Sequence, residues 1–182
     1  MTRSQPGQTT RFATLRARLY ASLGLLVLAV LVQVTLLSRL RPLGVSPDLL
    51  VVMVSCWALL AGLTEGAAWA FFAGLGLDLV AGLPLGTSSL ALLCACLPAR
   101  LGINQMFGTN LLLPVTIVAA ATVIDGVAMI VLSSLRGQPL SWLSFIVNII
   151  LPETALNIAL VPLVYPLLRK FDARLGGRWM EW

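Results

Sequence analysis

Three carboxylates, Asp78, Asp125 and Glu153, stand inside apolar runs of this chain. An acid at mid-bilayer costs roughly 2.5–3.5 kcal/mol on insertion scales, so such groups face protein or a wet cavity. Converging carboxyls can relay protons, but only with a base or cation within reach. The chain has no His, and its Lys and Arg residues fall at the ends of the apolar runs. The pattern favours helix packing and hydrogen bonding over a proton relay. Asp78 lies one helical turn before Gly82 in Gly74-Leu75-Gly76-Leu77-Asp78-Leu79-Val80-Ala81-Gly82-Leu83-Pro84-Leu85-Gly86. There its carboxylate can accept from free N–H groups around Gly82 and Gly86.

Asp125 sits near the middle of the run Leu111–Leu135. Thr122, Ser133 and Ser134 are its nearest polar neighbours in sequence, and Asn148 and Asn157 are candidates from the next run. Glu153 and Asn157 are four apart, share a helix face, and are expected to meet Asp125. Gln33, mid-way along the first run, also needs a partner, because an unsatisfied amide in lipid is costly.

No Gly-x-Ser-x-Gly, phosphate-binding loop or metal-ligand cluster is present, so no catalytic, cofactor or metal residue is assigned. Cys56, Cys94 and Cys96 read as small apolar filler and indicate no redox compartment.

Small side chains recur every four residues at Gly62, Gly66, Ala70, Gly74 and Gly82, with Asp78 falling in the series. That spacing marks one helix face against which another backbone, of this chain or a partner, can approach closely. Gly66, Ala70, Gly74 and Asp78 are therefore structural or partner-interface candidates, together with the turn residues Gly82, Pro84 and Gly86.

The elements that must hold these residues follow from composition. Of 182 residues, 59% are hydrophobic and 10% charged, against about 25% charged in ordinary soluble domains. Such a chain is an all-α membrane protein, one polytopic domain over residues 1–182, with no segment able to bury a separate core. The net charge of +5 sits in tails at 1–18 and 169–182. Lipid head groups account for it, and nucleic acid is not indicated.

Six spans are expected. The first is Leu19–Leu37, retained because no small-x-small cleavage site follows it. Ser46-Pro47-Asp48 reads as a helix start, with Ser as N-cap and Pro at the first helical position. It opens Leu49–Leu63; a tight turn over Gly62–Gly66 and a second short helix to Ala81 complete a hairpin. Thr87-Ser88-Ser89 caps a short fourth helix, and 102–110 reads as a loop. The fifth run is Leu111–Leu135, closed by Arg136-Gly137-Gln138-Pro139; the sixth, Leu143–Leu168, kinks at Pro152-Glu153. Six spans put both tails and Arg100 on one side, leaving Arg39, Arg41 and Arg136 opposite. That asymmetry orients both termini to the cytoplasm.

Pro47-Asp48-Leu49-Leu50, the Gly74–Leu79 stretch running into Gly82-Leu83-Pro84-Leu85-Gly86, and Glu153 through Asn157 to Leu167-Leu168-Arg169-Lys170 resemble the rod-shape-determining protein MreD family. The resemblance implies a non-enzymatic protein of the bacterial inner membrane. It would pair with the bitopic protein MreC, in elongation machinery that includes MreB, the RodA glycosyltransferase and its partner transpeptidase. That family is also similar in fold to the S component of energy-coupling-factor vitamin transporters. A small-molecule-binding transporter component is therefore the competing reading, which two Gly-interrupted helices also suit.

Overall fold

The computed structural model describes residues 22–37, 44–102, 111–137 and 142–174. Among them every regular element is helical. Helix α1 covers residues 22–37, its last turn Gln33–Leu37 wound as a π-helix. Then come α2 (Leu49–Ala61), α3 (Leu63–Ala81), α4 (Thr87–Ala95) and the single turn α5 (Ala99–Gly102). Helix α6 spans Leu112–Leu135, and α7 spans Trp142–Arg174. Three helices, α3, α6 and α7, are long and apolar enough to cross a membrane; α1, α2 and the α4–α5 segment are shorter apolar helices.

Helix α2 is the axis of the bundle. Every residue from Leu50 to Ala61 is buried, as a sequence apolar on all faces requires. It packs against α3, α4, α5, α6 and α7 and touches the end of α1. Its 13 residues rise only about 20 Å, short of a hydrocarbon core of about 30 Å. At its far end Trp57 stacks on Trp69 of α3, ring centroids 4.5 Å apart, and meets Phe171 of α7 at 6.2 Å.

Several elements differ from the sequence expectation. The turn between α2 and α3 takes one residue, not five: Gly62 at φ 98° reverses the chain, and Glu65 already lies in the first turn of α3. Gly66 permits this, because a Cβ there would fall on Ala58 of α2. Helix α3 runs 19 residues and is not a short helix. At Pro152-Glu153, where a kink is expected, the helix is unbroken. The preceding Ile146–Ile150 is a π-helical turn, with the Leu151 N–H bonding Ile146 O, so the helix continues through the proline. The helix also continues past Arg169, into the segment expected to be a tail. Leu168 and Asp172 are buried and Phe171 packs on the core, which carries α7 to Arg174. The expectations for 1–18, for 103–110 and for Gln138-Pro139 lie outside the described residues.

Candidate functional site

Most of the buried polar residues gather at two places, each the start of a short apolar helix. The first is the N-terminus of α2. Asp48 is its N-cap, and the Asp48 carboxylate accepts from the N–H groups of Leu50 (2.9 Å) and Val51 (3.1 Å). This corrects the expected start: Pro47 precedes the cap, and Ser46 lies outside the helix. Local preference allows either arrangement; tertiary contacts decide it. The Asp48 N–H donates to Asn157 Oδ1 at 2.8 Å, 109 positions along the chain. Gln33 Oε1 accepts from Leu49 N–H at 2.9 Å, while Gln33 Nε2 donates to Pro47 O at 3.3 Å.

Asn157 continues the chain of bonds. Its Nδ2 donates to Thr122 Oγ1 at 3.1 Å, and Thr122 donates in turn to Val118 O at 2.9 Å. One fully buried amide thus joins α2, α6 and α7, and Gln33 adds α1. The N–H groups that a helix start leaves open are all taken here: Leu49 by Gln33, Leu50 and Val51 by Asp48, and Val52 by the Asp48 carbonyl.

Asp125 is placed differently from expectation. It is buried at 8% exposure and lies within electrostatic reach of Asp48 and Glu153. No hydrogen bond joins it to another described residue. Asn157 turns to Thr122 instead, Ser133 accepts from Arg136, and Asn148 is exposed. The face shared by Glu153 and Asn157 splits its work: Asn157 ties helices, and Glu153 stays half-buried beside Asp125.

The second place is the α3–α4 turn, organised by Asp78. Its backbone carbonyl receives the N–H groups of Gly82 and Leu83, the latter at 3.1 Å, and ends α3 with Gly82 in the left-handed conformation. Its carboxylate then starts α4, accepting from Gly86 N–H at 2.7 Å and Ser88 N–H at 3.0 Å. Asp78 is fully buried, and the positive end of the α4 dipole faces it. The expected Thr87-Ser88-Ser89 cap is not used. Gly86 is the N-cap and has no side chain to offer. The Thr87 hydroxyl folds back to Pro84 O at 2.8 Å, and Ser89 donates to Phe71 O of α3 at 3.1 Å.

The small-residue face of α3 is covered by this chain itself. Gly66 lies on Ala58 of α2; Gly74 lies on the backbone of Ser88 and Ser89 in α4. Ala70 is fully buried, whereas Gly82 and Pro84 are exposed and Gly86 half-buried. Only the turn is therefore open to another molecule. Cys56 and Cys96 are buried and Cys94 half-buried, all three as free thiols.

Residues 16–171 match the family model of the rod shape-determining protein MreD. The chain belongs to the MreD family. No curated protein and no solved structure gives a match. Both polar sites fall within the matched residues, so the MreD model covers α1 through most of α7. MreD proteins are shape-determining structural proteins, and the long apolar helices make this one a membrane protein. The sequence pattern places Asp48 at the α2 start as an acid on the positive end of the dipole, but gives the cap to Ser46 and not to Asp48. The available signal was an acid immediately ahead of a wholly apolar run, where it is the last side chain able to cap.

Proposed function

We propose that this protein is a non-enzymatic, multi-pass scaffold of a bacterial inner membrane that holds MreC within the cell-elongation machinery. The family match over residues 16–171 carries this reading. RodA, its partner transpeptidase and MreB belong to the same assembly, and the outcome is support of peptidoglycan synthesis and cell shape. The buried polar groups suit a scaffold: Asp48, Asn157, Gln33 and Asp78 are engaged in fixing helix ends. On this reading the three long and three shorter apolar helices make six spans, in an arrangement akin to the S component of vitamin transporters.

The test is co-purification of the full chain with the MreC of the same genome from detergent-solubilised membranes. Stoichiometric recovery is expected. Recovery of a transporter ATPase in place of MreC would overturn the scaffold reading.

The orientation is tested separately. Both termini are cytoplasmic on the Lys/Arg asymmetry, with Arg100 on the same side and Arg136 opposite. A reporter that fluoresces only in the cytoplasm should be bright at either end. A dark fusion on a stably inserted protein would rule out an even number of spans with this orientation.

A further inference from the structure

Helices α6 and α7 run antiparallel, and two contacts fix their register. Asn157 of α7 donates to Thr122 of α6 at 3.1 Å, and a Cβ built on Gly126 of α6 would meet the Ile150 side chain of α7 at 2.7 Å. Between these contacts fall Asp125, three residues after Thr122, and Glu153, four residues before Asn157. Each is one helical turn from the Asn157–Thr122 bond, in the same direction, so the two carboxyls face each other across the α6–α7 seam. A third carboxyl stands beside them. Asp48 donates its N–H to the same Asn157 at 2.8 Å, and Asp125 and Glu153 both lie within electrostatic reach of it. The packing holds this convergence in place: Gly126 has no side chain to keep Ile150 away, and the π-helical turn Ile146–Ile150 ends just ahead of Glu153.

Acceptors at this point outnumber donors. Asp125 is 8% exposed, and its carboxyl makes no hydrogen bond to a described residue; nor does that of Glu153. Asp48 uses one oxygen, Oδ1, for both Leu50 and Val51, which leaves Oδ2 unengaged among the described residues. A buried acid that serves packing alone is tied down as Asp78 is, with a backbone N–H on each oxygen. No described cation is within reach. Arg136 bonds Leu132 O and Ser133 at the end of α6, eleven residues or about 16 Å from Asp125. Arg100 belongs to α5, whose Ala99 packs on Leu59 at the far end of α2. Arg169 is twelve residues or about 18 Å beyond Asn157, with Lys170 and Arg174 farther still. Like charges in a low-dielectric interior repel strongly unless a cation lies between them. Among the described residues no three such groups could hold a metal ion. The cation that fits therefore carries its own donors outward, as an ammonium or a guanidinium does.

We infer that Asp125, Glu153 and the open oxygen of Asp48 form a binding site for an organic cation, an ammonium or guanidinium group, reached past half-buried Glu153. Two sources carry that chemistry: a Lys or Arg side chain on the membrane span of a partner, and a free amine. The inference is independent of the scaffold reading above.

The experiment follows the thermal midpoint of the full chain, purified in detergent without MreC, as butylguanidinium or butylammonium chloride is added. Sodium chloride at equal ionic strength and butanol are the controls. At ten times its dissociation constant, at least one of the two cations should raise the midpoint by about 3–6 °C, and the controls should not. Asp125→Asn should abolish the shift and leave the unliganded midpoint unchanged or higher, because the Asp125 carboxyl has no bond to a described residue to lose. Asp78→Asn, at a fully engaged acid, should lower the midpoint and keep the shift. Co-expression with MreC then separates the sources. If a partner side chain fills the site, Asp125→Asn/Glu153→Gln should lower recovered MreC about tenfold, one charge-assisted hydrogen bond's worth. Undiminished recovery, with the butylguanidinium or butylammonium shift intact in the parent, assigns the site to a free amine. Three results overturn the inference: no shift of the parent with either cation, an equal shift with sodium, or a midpoint that falls on Asp125→Asn as it does on Asp78→Asn. Arg39 and Arg41 lie outside the described residues. Coupling between Arg39→Gln/Arg41→Gln and Asp125→Asn in a double-mutant cycle would mean that the chain fills the site itself, and would also overturn it.

Discussion

Gly74→Ala should destabilise the protein by about 3 kcal/mol or more, the upper end for overpacking a tight core. The added Cβ would fall on the Cα and N of Ser89 and within 2.7 Å of the Ser88 carbonyl carbon. These are backbone atoms, so no rotamer change relieves the clash, and α4 must move off α3. That shift would also draw Ser88 N–H away from Asp78, which it now meets at 3.0 Å. Thermal unfolding in detergent checks it, with a loss of about 6–12 °C at the usual 2–4 °C per kcal/mol. Gly126→Ala provides a graded comparison, because its Cβ meets only the side chain of Ile150, at 2.7 Å. Gly24→Ala is the control. Nothing lies within 4 Å of that position, so the change should be neutral or raise stability by about 0.5–1 kcal/mol. Equal midpoints for Gly74→Ala and Gly24→Ala would refute close packing of α3 on α4.

The contrast between those glycines shows what the sequence could disclose. Four-residue spacing identified the packed face of α3, because periodicity is a property of one helix. It could not name the covering element, which turned out to be α2 at Gly66 and α4 at Gly74. The α2–α3 hairpin was legible, but its turn was not, since Gly62 and Gly66 are equally good turn residues in isolation. One reverses the chain and the other allows contact.

Helix starts were misread for a single reason. Thr87-Ser88-Ser89 and Ser46-Pro47 satisfy local capping rules, yet the groups that cap α4 and anchor α2 come from Asp78 and Asn157, distant in sequence. Inside a membrane no water competes for a free N–H, so a remote buried acceptor can outweigh a local one. Pro152 follows the same logic: the helix absorbs the missing donor by widening one turn.

Asp78→Leu should be the most damaging single change in the α3–α4 turn, and Asp78→Asn a milder one. The carboxylate accepts from Gly86 N–H at 2.7 Å and Ser88 N–H at 3.0 Å, one on each oxygen. Hydrogen bonds to a charged group contribute about 1.5–3 kcal/mol each. Leu keeps the volume and removes both acceptors, leaving one buried donor (Ser88 N–H) and one half-buried donor (Gly86 N–H) open, for a loss of about 3–6 kcal/mol. Against a total stability of about 5–15 kcal/mol, that loosens α4 or unfolds the chain. Asn keeps one acceptor oxygen, but its NH2 faces the second N–H, so about half the loss is expected. Folded yield and MreC recovery should therefore fall in the order parent, Asn, Leu, with cell-shape complementation largely retained by Asn. The order separates structure from charge. The geometry uses Asp78 as a double acceptor, with both oxygens occupied by backbone N–H groups. A well-folded Asp78→Asn variant that binds MreC yet loses all cell-shape function would show that the negative charge itself acts, through a proton or an ionic contact with a partner. Parent-like behaviour of Asp78→Leu would instead mean that the turn holds without its cap.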